Sequence, residues 1–450
     1  WSFNKTILRK QTMKDIKIGL AGFGTVGRGT WELLGKNKKK IEKSSKIKIS
    51  IVAIADPDKS KFESIDIPSS CHLHSDAFEL LKDESIDIVI ELIGGETVAK
   101  EFVISAIRER KMVVTANKAL LAKYGKQIFG EAERNGVAVF YEAAIAGGIP
   151  IVKVLKEGLA ANEILWISGI INGTTNYILS EMDKRDLGFD EALGEATLHG
   201  YAEQDPTLDI DGHDSAHKIS LLASLAFGTI FDFDEIPTRG IRGIDERDVR
   251  FAKKFGYQIK LLAFAKLEKS QVEVSVEPTL IPVDLLMANV DGPMNAVSVE
   301  GNFVGHTLYY GQGAGSHPTA SAVVADIIEA CGTINTLNEM EQVKTNSEIT
   351  GHPDYTLMRK EDVVSGHYMR LEVSDKPGVL SEITGIFASQ NVSVDRFFQE
   401  KSEDSNAENA EIILLTHKCV YGKIVEVVDM LMNLGNVKGN PVVFRVEEKA

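Results

Sequence analysis

The sequence predicts an α/β protein in three parts: a doubly wound nucleotide domain, an α+β domain built on a mixed sheet, and a small C-terminal ferredoxin-like unit. Three observations carry this reading. A glycine-rich turn joins an apolar strand to a helix at Gly22; strands and helices alternate from there to about Pro150; and the chain beyond about His367 runs strand, helix, strand, strand, helix, strand.

Each part is readable in order. The opening WSFNKTILRKQTM is basic and polar with no apolar stretch, so residues 1–14 read as an extension rather than a signal peptide. From Ile16, IKIGLAGFGTVGRGTWELL places G-x-G-x-x-G between a strand and a helix. In that setting Gly22 permits the tight turn, Gly24 the approach of a pyrophosphate and Gly27 close packing of helix on strand. The anion would lie at the helix N-terminus, against Phe23, Thr25 and Val26. The alternative is a glycine turn that packs tightly and binds nothing. The next strand ends on Asp56, an acid suited to a ribose hydroxyl of NAD; yet it lies further on than usual, and Lys59 and Lys61 follow closely enough to meet the 2′-phosphate of NADP. Both cofactors therefore stand.

Continued alternation through IDIVIELIGG, a helix over Val98 to Arg108, KMVVTANKALLAKYG and VAVFYEAA predicts a Rossmann-type parallel sheet over residues 15–150. Its carboxyl edge carries Ile93, Gly94, Gly95 and the run from Thr115 to Lys118. Lys118 starts a helix, where the dipole disfavours a cation, so it is either simply exposed or reaches substrate and cofactor. YEAAIAGGIP sets Glu142 before a Gly-Gly turn; that is a structural turn or, with backbone carbonyls, an oxygen cage for a hard cation.

Residues 151–315 change pattern. A β-branched run leads to a helix opened by Asn172, Gly173, Thr174 and Thr175, and later strands imply a mixed or antiparallel sheet. Gly311, Gly313 and Gly315 lead into a small-residue helix, 316–332, expected to complete the nucleotide domain, and the two domains are expected to meet at these glycines. Residues 333–366 are polar with little periodicity and read as a linker before the last unit, 367–450.

The stretch GYAEQDPTLDIDGHDSAHK concentrates Glu203, Asp205, Asp209, Asp211 and Asp214 ahead of Lys218, where a helical apolar pattern begins. Asp214 and Lys218 are four apart and share a helix face, with the acid at the positive end of the dipole. Read blandly, this is a solvated acidic loop with an ordinary ion pair. Read chemically, carboxylates hold a cation while a lysine handles a proton. His213 and His217, also four apart, lack the acid of a zinc HExxH and read as a helix face.

Composition narrows the class. A net charge of -15 argues against nucleic acid and anionic membrane surfaces. Cys71, Cys331 and Cys419 are widely spaced, which suits a reducing, cytoplasmic setting, and no apolar run approaches the roughly 20 residues of a membrane span.

GFGTVG, VTANKALLA, YEAAIAGGIP, INGTTNYIL, GYAEQDPTLDIDGHDSAHK and GQGAGSHPTA, in this order, resemble homoserine dehydrogenases, and the C-terminal unit with DKPGVL resembles an ACT domain. With no kinase-like segment before the glycine motif, the resemblance is to the monofunctional form. It implies NAD(P)-linked interconversion of L-homoserine and L-aspartate 4-semialdehyde, on the way to threonine, methionine and isoleucine, with a substrate and dimerisation domain after the nucleotide domain. It also implies Lys218 as proton donor, Lys118 as the second lysine, and Glu203, Asp214 and, more weakly, Asp209 as substrate holders. Gly200, Gly315 and Ile93 are implied as further cofactor contacts. Glu142 with the carbonyls of Ile145, Gly147 and Ile149 is implied as a sodium site. A homodimer or homotetramer and threonine feedback complete the expectation; Asp375 to Leu380 and Asn391 line a strand-helix turn that either receives an amino acid's charged groups or only caps the helix. Two rivals stand beside it: a non-catalytic amino-acid sensor, which has no need of a proton donor, and a semialdehyde dehydrogenase using Cys71 as nucleophile.

Overall fold

The computed structural model describes residues 15–63, 65–339, 355–401 and 409–448. The N-terminal extension and much of the expected linker lie outside the described residues. The chain divides into two compact units, Trp1–Gly148 with Ala314–Ser347, and Ile149–Gly313 with Glu348–Ala450.

The first unit holds β1 (Asp15–Ala21), α1 (Thr25–Ser45), β2 (Lys48–Ala55), β3 (His72–His74), β4 (Ile88–Glu91), α2 (Thr97–Arg108), β5 (Met112–Thr115), α3 (Lys118–Asn135) and β6 (Val139–Phe140). The strands form a six-stranded sheet in the order β3-β2-β1-β4-β5-β6, parallel throughout. Ile16, Ile18, Leu20, Val89, Ile90, Val113 and Val114 are fully buried, which is why these strands read as unbroken apolar runs rather than alternating ones. The order reverses between β1 and β4, the switch point at whose carboxyl edge such sheets bind ligands.

The second unit opens with α4 (Ile151–Lys153), β7 (Ile164–Ile170), α5 (Gly173–Arg185), α6 (Phe189–Leu198), α7 (Thr207–Ile210), α8 (His213–Phe227), α9 (Glu246–Phe255), β8 (Tyr257–Glu268), β9 (Gln271–Pro282), β10 (Met294–Gly301) and β11 (Gly305–Gln312). The chain then returns to the first unit as α10 (Ser316–Glu339), which outruns the helix expected at 316–332 and takes up the start of the expected linker. Its N-terminal turn lies so close to α1 that a Cβ on Gly29 would stand 2.6 Å from Ser316 Oγ.

The second unit resumes with β12 (Thr356–Leu357), β13 (Val364–Ser374), α11 (Val379–Ser389), β14 (Val394–Lys401), β15 (Asn409–Thr416), β16 (Cys419–Val420), α12 (Tyr421–Met432) and β17 (Val437–Val446). The βαββαβ order is present, with the two-residue β16 added. Its strands continue the sheet of the preceding segment: the order is β11-β10-β7-β8-β9-β17-β13-β15-β14, and β17 joins β9 in parallel at Arg445↔Thr279 and Val446↔Leu280.

Two residue pairs of register hold little by themselves, and buried charges reinforce the join. Arg445 is buried and pairs with Glu273 of β9 and with Glu447. Nearby His367 is buried, with its ring 3.3 Å from Ser365 Oγ, and burial pushes its pKa down from 6.5 to about 4. An unfolded chain takes up this proton near pH 6.5 and the folded one only near pH 4, so proton uptake favours unfolding between those values. Stability therefore falls with pH across that window, by about 2 kcal/mol at pH 5. Denaturant unfolding at pH 7 and pH 5 checks this: His367→Gln should flatten the difference, and an unchanged slope in the variant would refute the assignment.

Candidate active site

In the first unit the glycine turn is built as its spacing implies. Gly22 has φ 95°, and a Cβ there would lie 2.2 Å from Leu92 O; a Cβ on Gly27 would lie 2.3 Å from Gly22 O. Around Gly24, by contrast, a Cβ would meet nothing within 4 Å. Gly24 is also the N-cap of α1 and supplies no side-chain cap, so the first-turn N–H groups beside Thr25 and Val26 face a space suited to a phosphate.

Asp56, just past β2, is buried. Its carboxylate is turned into the fold: Oδ2 accepts from Phe23 N at 2.7 Å, Oδ1 from Asp58 N at 2.9 Å, and both from Lys61 Nζ at 2.9 Å. Burial pushes its pKa up, but the Lys61 ammonium and the two backbone donors outweigh that and hold it below the usual value. Asp56 thus staples the glycine turn to the end of β2, with Lys61 lying over it at 32% side-chain exposure, and the Lys61 carbonyl accepts from Arg28 Nη2 at 3.2 Å.

Glu91 was not singled out by the sequence. Fully buried at the end of β4, it accepts from Ile93 N at 2.9 Å, Gly94 N at 3.3 Å and Thr115 Oγ1 at 2.6 Å. Thr115 Oγ1 in turn accepts from Asn117 N, and Asn117 Nδ2 donates to Gly95 O at 2.7 Å. One buried carboxyl, its pKa raised by burial, therefore ties together the loops that present Ile93 and Lys118. Asn117 also caps α3 through Leu120 N, fixing the turn from which Lys118 starts. Gly315, with φ 119°, stands immediately before α10.

The Glu142 segment is a buried turn. Glu142 is 1% exposed, Ile145 and Ile149 are buried, and Gly147 has φ 56°. Asp326 of α10 accepts from Glu142 N at 2.9 Å. A buried carboxylate in a turn of backbone carbonyls is a donor set that suits a hard cation.

In the second unit the acidic stretch folds onto itself. Asp211 closes α7 and Gly212, with φ 86°, is the N-cap of α8, so Asp214 falls in the first turn of α8 and Lys218 one turn on. Both are buried, at 6% and 7% exposure, and Lys218 Nζ donates to Asp214 Oδ2 and to Ile171 O, each at 2.7 Å. Asp209 approaches from α7, where Thr174 Oγ1 donates to its Oδ2 at 3.1 Å. Burial, and then the charge of Asp214, raise the Asp209 pKa. Asn172, the N-cap of α5, donates to Asp209 Oδ1 at 2.7 Å and to Asp214 Oδ2 at 2.9 Å. Two acids face one lysine, a set that would accept one more cation.

Glu203 is exposed in the loop before α7, and it takes no part in the hydrogen bonds among Asn172, Thr174, Asp209, Asp214 and Lys218 described above. Gly200, φ 74°, follows α6 and is also exposed. Cys71 is buried, which pushes its thiol up to about 11, a poor setting for a nucleophile.

Comparison with known proteins bears on these arrangements. Family profiles described as homoserine dehydrogenase, as its NAD-binding domain and as an ACT domain match residues 150–328, 22–142 and 367–429. The chain is 44% identical to the homoserine dehydrogenase of Neisseria gonorrhoeae, over 97% of this chain and 99% of that one. It is 42% identical to that of Pseudomonas aeruginosa, over 97% and 100%. A crystal structure of a homoserine dehydrogenase from Thiobacillus denitrificans superposes with a TM-score of 0.91 at 44% identity, covering 97% and 99%. A hyperthermophilic archaeal homoserine dehydrogenase mutant in complex with NADPH matches with a TM-score of 0.61 at 28% identity, over 71% and 98%.

Proposed function

This chain belongs to the homoserine dehydrogenase family and is an NAD(P)-dependent oxidoreductase that interconverts L-homoserine and L-aspartate 4-semialdehyde; on that premise we propose which of its residues carry the reaction. The observation that carries the proposal is Lys218, buried and held by Asp214 and Ile171 O at 2.7 Å. When bound, the nicotinamide supplies or takes the hydride. As the aldehyde is reduced its oxygen gains negative charge, and the Lys218 ammonium stabilises that charge and gives up a proton to it; in the reverse direction Lys218 takes the proton from the alcohol. Asp209 and Asp214, with Glu203 from the bend, hold the substrate ammonium, which offsets their surplus negative charge over Lys218. Lys118 orients substrate and cofactor from the start of α3. Phe23, Thr25, Val26 and the three glycines bind the pyrophosphate, with Ile93, Gly200 and Gly315 as further contacts.

For the cofactor, NADP is the reading favoured by Asp56, whose carboxylate is occupied by Phe23 N and Lys61 and so is poorly placed for a ribose hydroxyl, while Lys61 and Arg28 offer positive charge. The NADPH complex of the archaeal relative agrees with it. Lys61→Ala should raise the KM for NADP by about 10-fold and leave that for NAD nearly unchanged, as loss of one charge-assisted contact implies. Equal effects on both cofactors would refute the role.

Sodium at Glu142 and the carbonyls of Ile145, Gly147 and Ile149 is supported by the buried oxygen-rich turn. Threonine feedback is supported by the ACT match and by the turn at Gly378, φ 97°, which opens α11 without a side-chain cap. A rate insensitive to threonine but altered by another amino acid would overturn it. Assembly as a homodimer or homotetramer is supported by the apolar residues exposed on the edge strands, Tyr310 of β11 and Phe397 of β14. A cytoplasmic setting is supported by three cysteines carried as thiols. No described helix is long and apolar enough to cross a membrane.

A further inference from the structure

We propose that Asn172 is a positioning residue that holds Asp209 and Asp214 together beside Lys218, an inference that rests on the reaction proposed above. Two carboxylates this close repel each other, and the amide lies between them. One N–H goes to Asp209 Oδ1 at 2.7 Å and the other to Asp214 Oδ2 at 2.9 Å, so each hydrogen of the group offsets one acid.

The amide cannot serve in the opposite orientation. Its oxygen accepts from Thr175 N at 2.9 Å and Thr175 Oγ1 at 3.0 Å, capping α5, and a flipped amide would set its oxygen against two carboxylates and its hydrogens against Thr175 N–H. At 4% exposure no solvent is available to compensate. Serine and aspartate cap helices about as well as asparagine, but neither brings a cap acceptor together with two donors. The chemistry of the position therefore selects asparagine for the acids, and the cap only anchors it.

The charged groups facing Asn172 are Asp209 from α7 and Asp214 and Lys218 from α8, while the first turn of α5 carries no acidic side chain. Without the two donors both acids lose a neutralising contact, and Asp209, whose proton affinity is already raised by burial and by Asp214, binds its proton more tightly still.

The test uses the full-length enzyme and compares Asn172→Ser and Asn172→Asp, which keep the cap, with wild type and Lys218→Ala. Expected for Asn172→Ser is a kcat/KM for L-homoserine about 100-fold lower, as a small misplacement of reacting groups costs. The acid limb of its pH profile should move to higher pH, with the KM for the nicotinamide cofactor and the melting temperature close to wild type. Asn172→Asp should be weaker still at neutral pH and recover part of its rate as pH falls. If Asn172→Ser keeps the wild-type kcat/KM and acid limb while Lys218→Ala is inactive, this inference fails alone. A drop in rate with an unmoved acid limb and an equal loss of cofactor affinity also overturns it, since that is what general structural damage gives. Full turnover in Lys218→Ala overturns both this inference and the reaction on which it rests.

Discussion

Lys218→Ala is expected to lower kcat for homoserine oxidation by about 1,000-fold, near 4 kcal/mol of barrier, with little change in the KM for the nicotinamide cofactor. The loss falls on kcat because the ammonium meets full negative charge only as the aldehyde oxygen becomes an alkoxide, so its contribution is greatest in the transition state. Since Lys218 is buried against Asp214, alanine also strands an acid, and a second variant separates the two effects. Lys218→Arg keeps the ion pair and the charge, but a guanidinium stays protonated at working pH and cannot take the proton of the alcohol, so folding should be retained while turnover stays low. Steady-state reduction of NADP with L-homoserine reads both. Turnover of either variant within tenfold of wild type would remove Lys218 from the reaction.

How much of this site the sequence discloses depends on how local the cause is. The glycine turn is legible because its steric demands lie within a few residues: Gly22 needs a positive φ and Gly27 lets α1 approach the turn. The Asp214 and Lys218 pair is legible for the same reason, one helical turn being a local fact. Asn172 is visible only as a helix opener, because its bonds to Asp209 and Asp214 cross from α5 to elements far along the chain. Glu91 is hidden inside an apolar strand, and nothing in ELIGG tells that its side chain folds back to receive Ile93 N. Asp56 is legible as a strand-end acid with lysines close behind it, but that Lys61, five residues on, folds back over its carboxylate is a contact the sequence does not disclose. The junction of β17 with β9 is equally illegible, since a parallel pairing of two residues leaves no periodic trace and is fixed by Arg445 and its glutamates instead.

The same junction supplies the second large effect. Asp248→Ala is expected to destabilise the second unit by about 3–5 kcal/mol, because it removes the acid shared by two buried groups of β13. Asp248 is fully buried on α9; it accepts from Arg370 Nε at 2.6 Å, Arg370 Nη2 at 3.0 Å and Tyr368 Oη at 2.9 Å. It also closes the capping box of α9, accepting from Asp245 N at 3.2 Å. Without it the Arg370 guanidinium keeps, among the described residues, Glu411 at 3.6 Å, and Glu411 is already engaged by Arg247 at 2.5 Å. The cost is therefore mainly that of a stranded buried cation, not of lost attraction, and this makes a distinguishing prediction. Asp248→Ala combined with Arg370→Met should recover much of the loss, since replacing a whole buried pair with apolar side chains is often nearly neutral. Asp248→Asn, which keeps the shape and one acceptor, should fall between. Denaturant unfolding of the three variants decides: a double variant no more stable than Asp248→Ala would mean that the pair stabilises the sheet through attraction after all, and that β13 is held to α9 by charge.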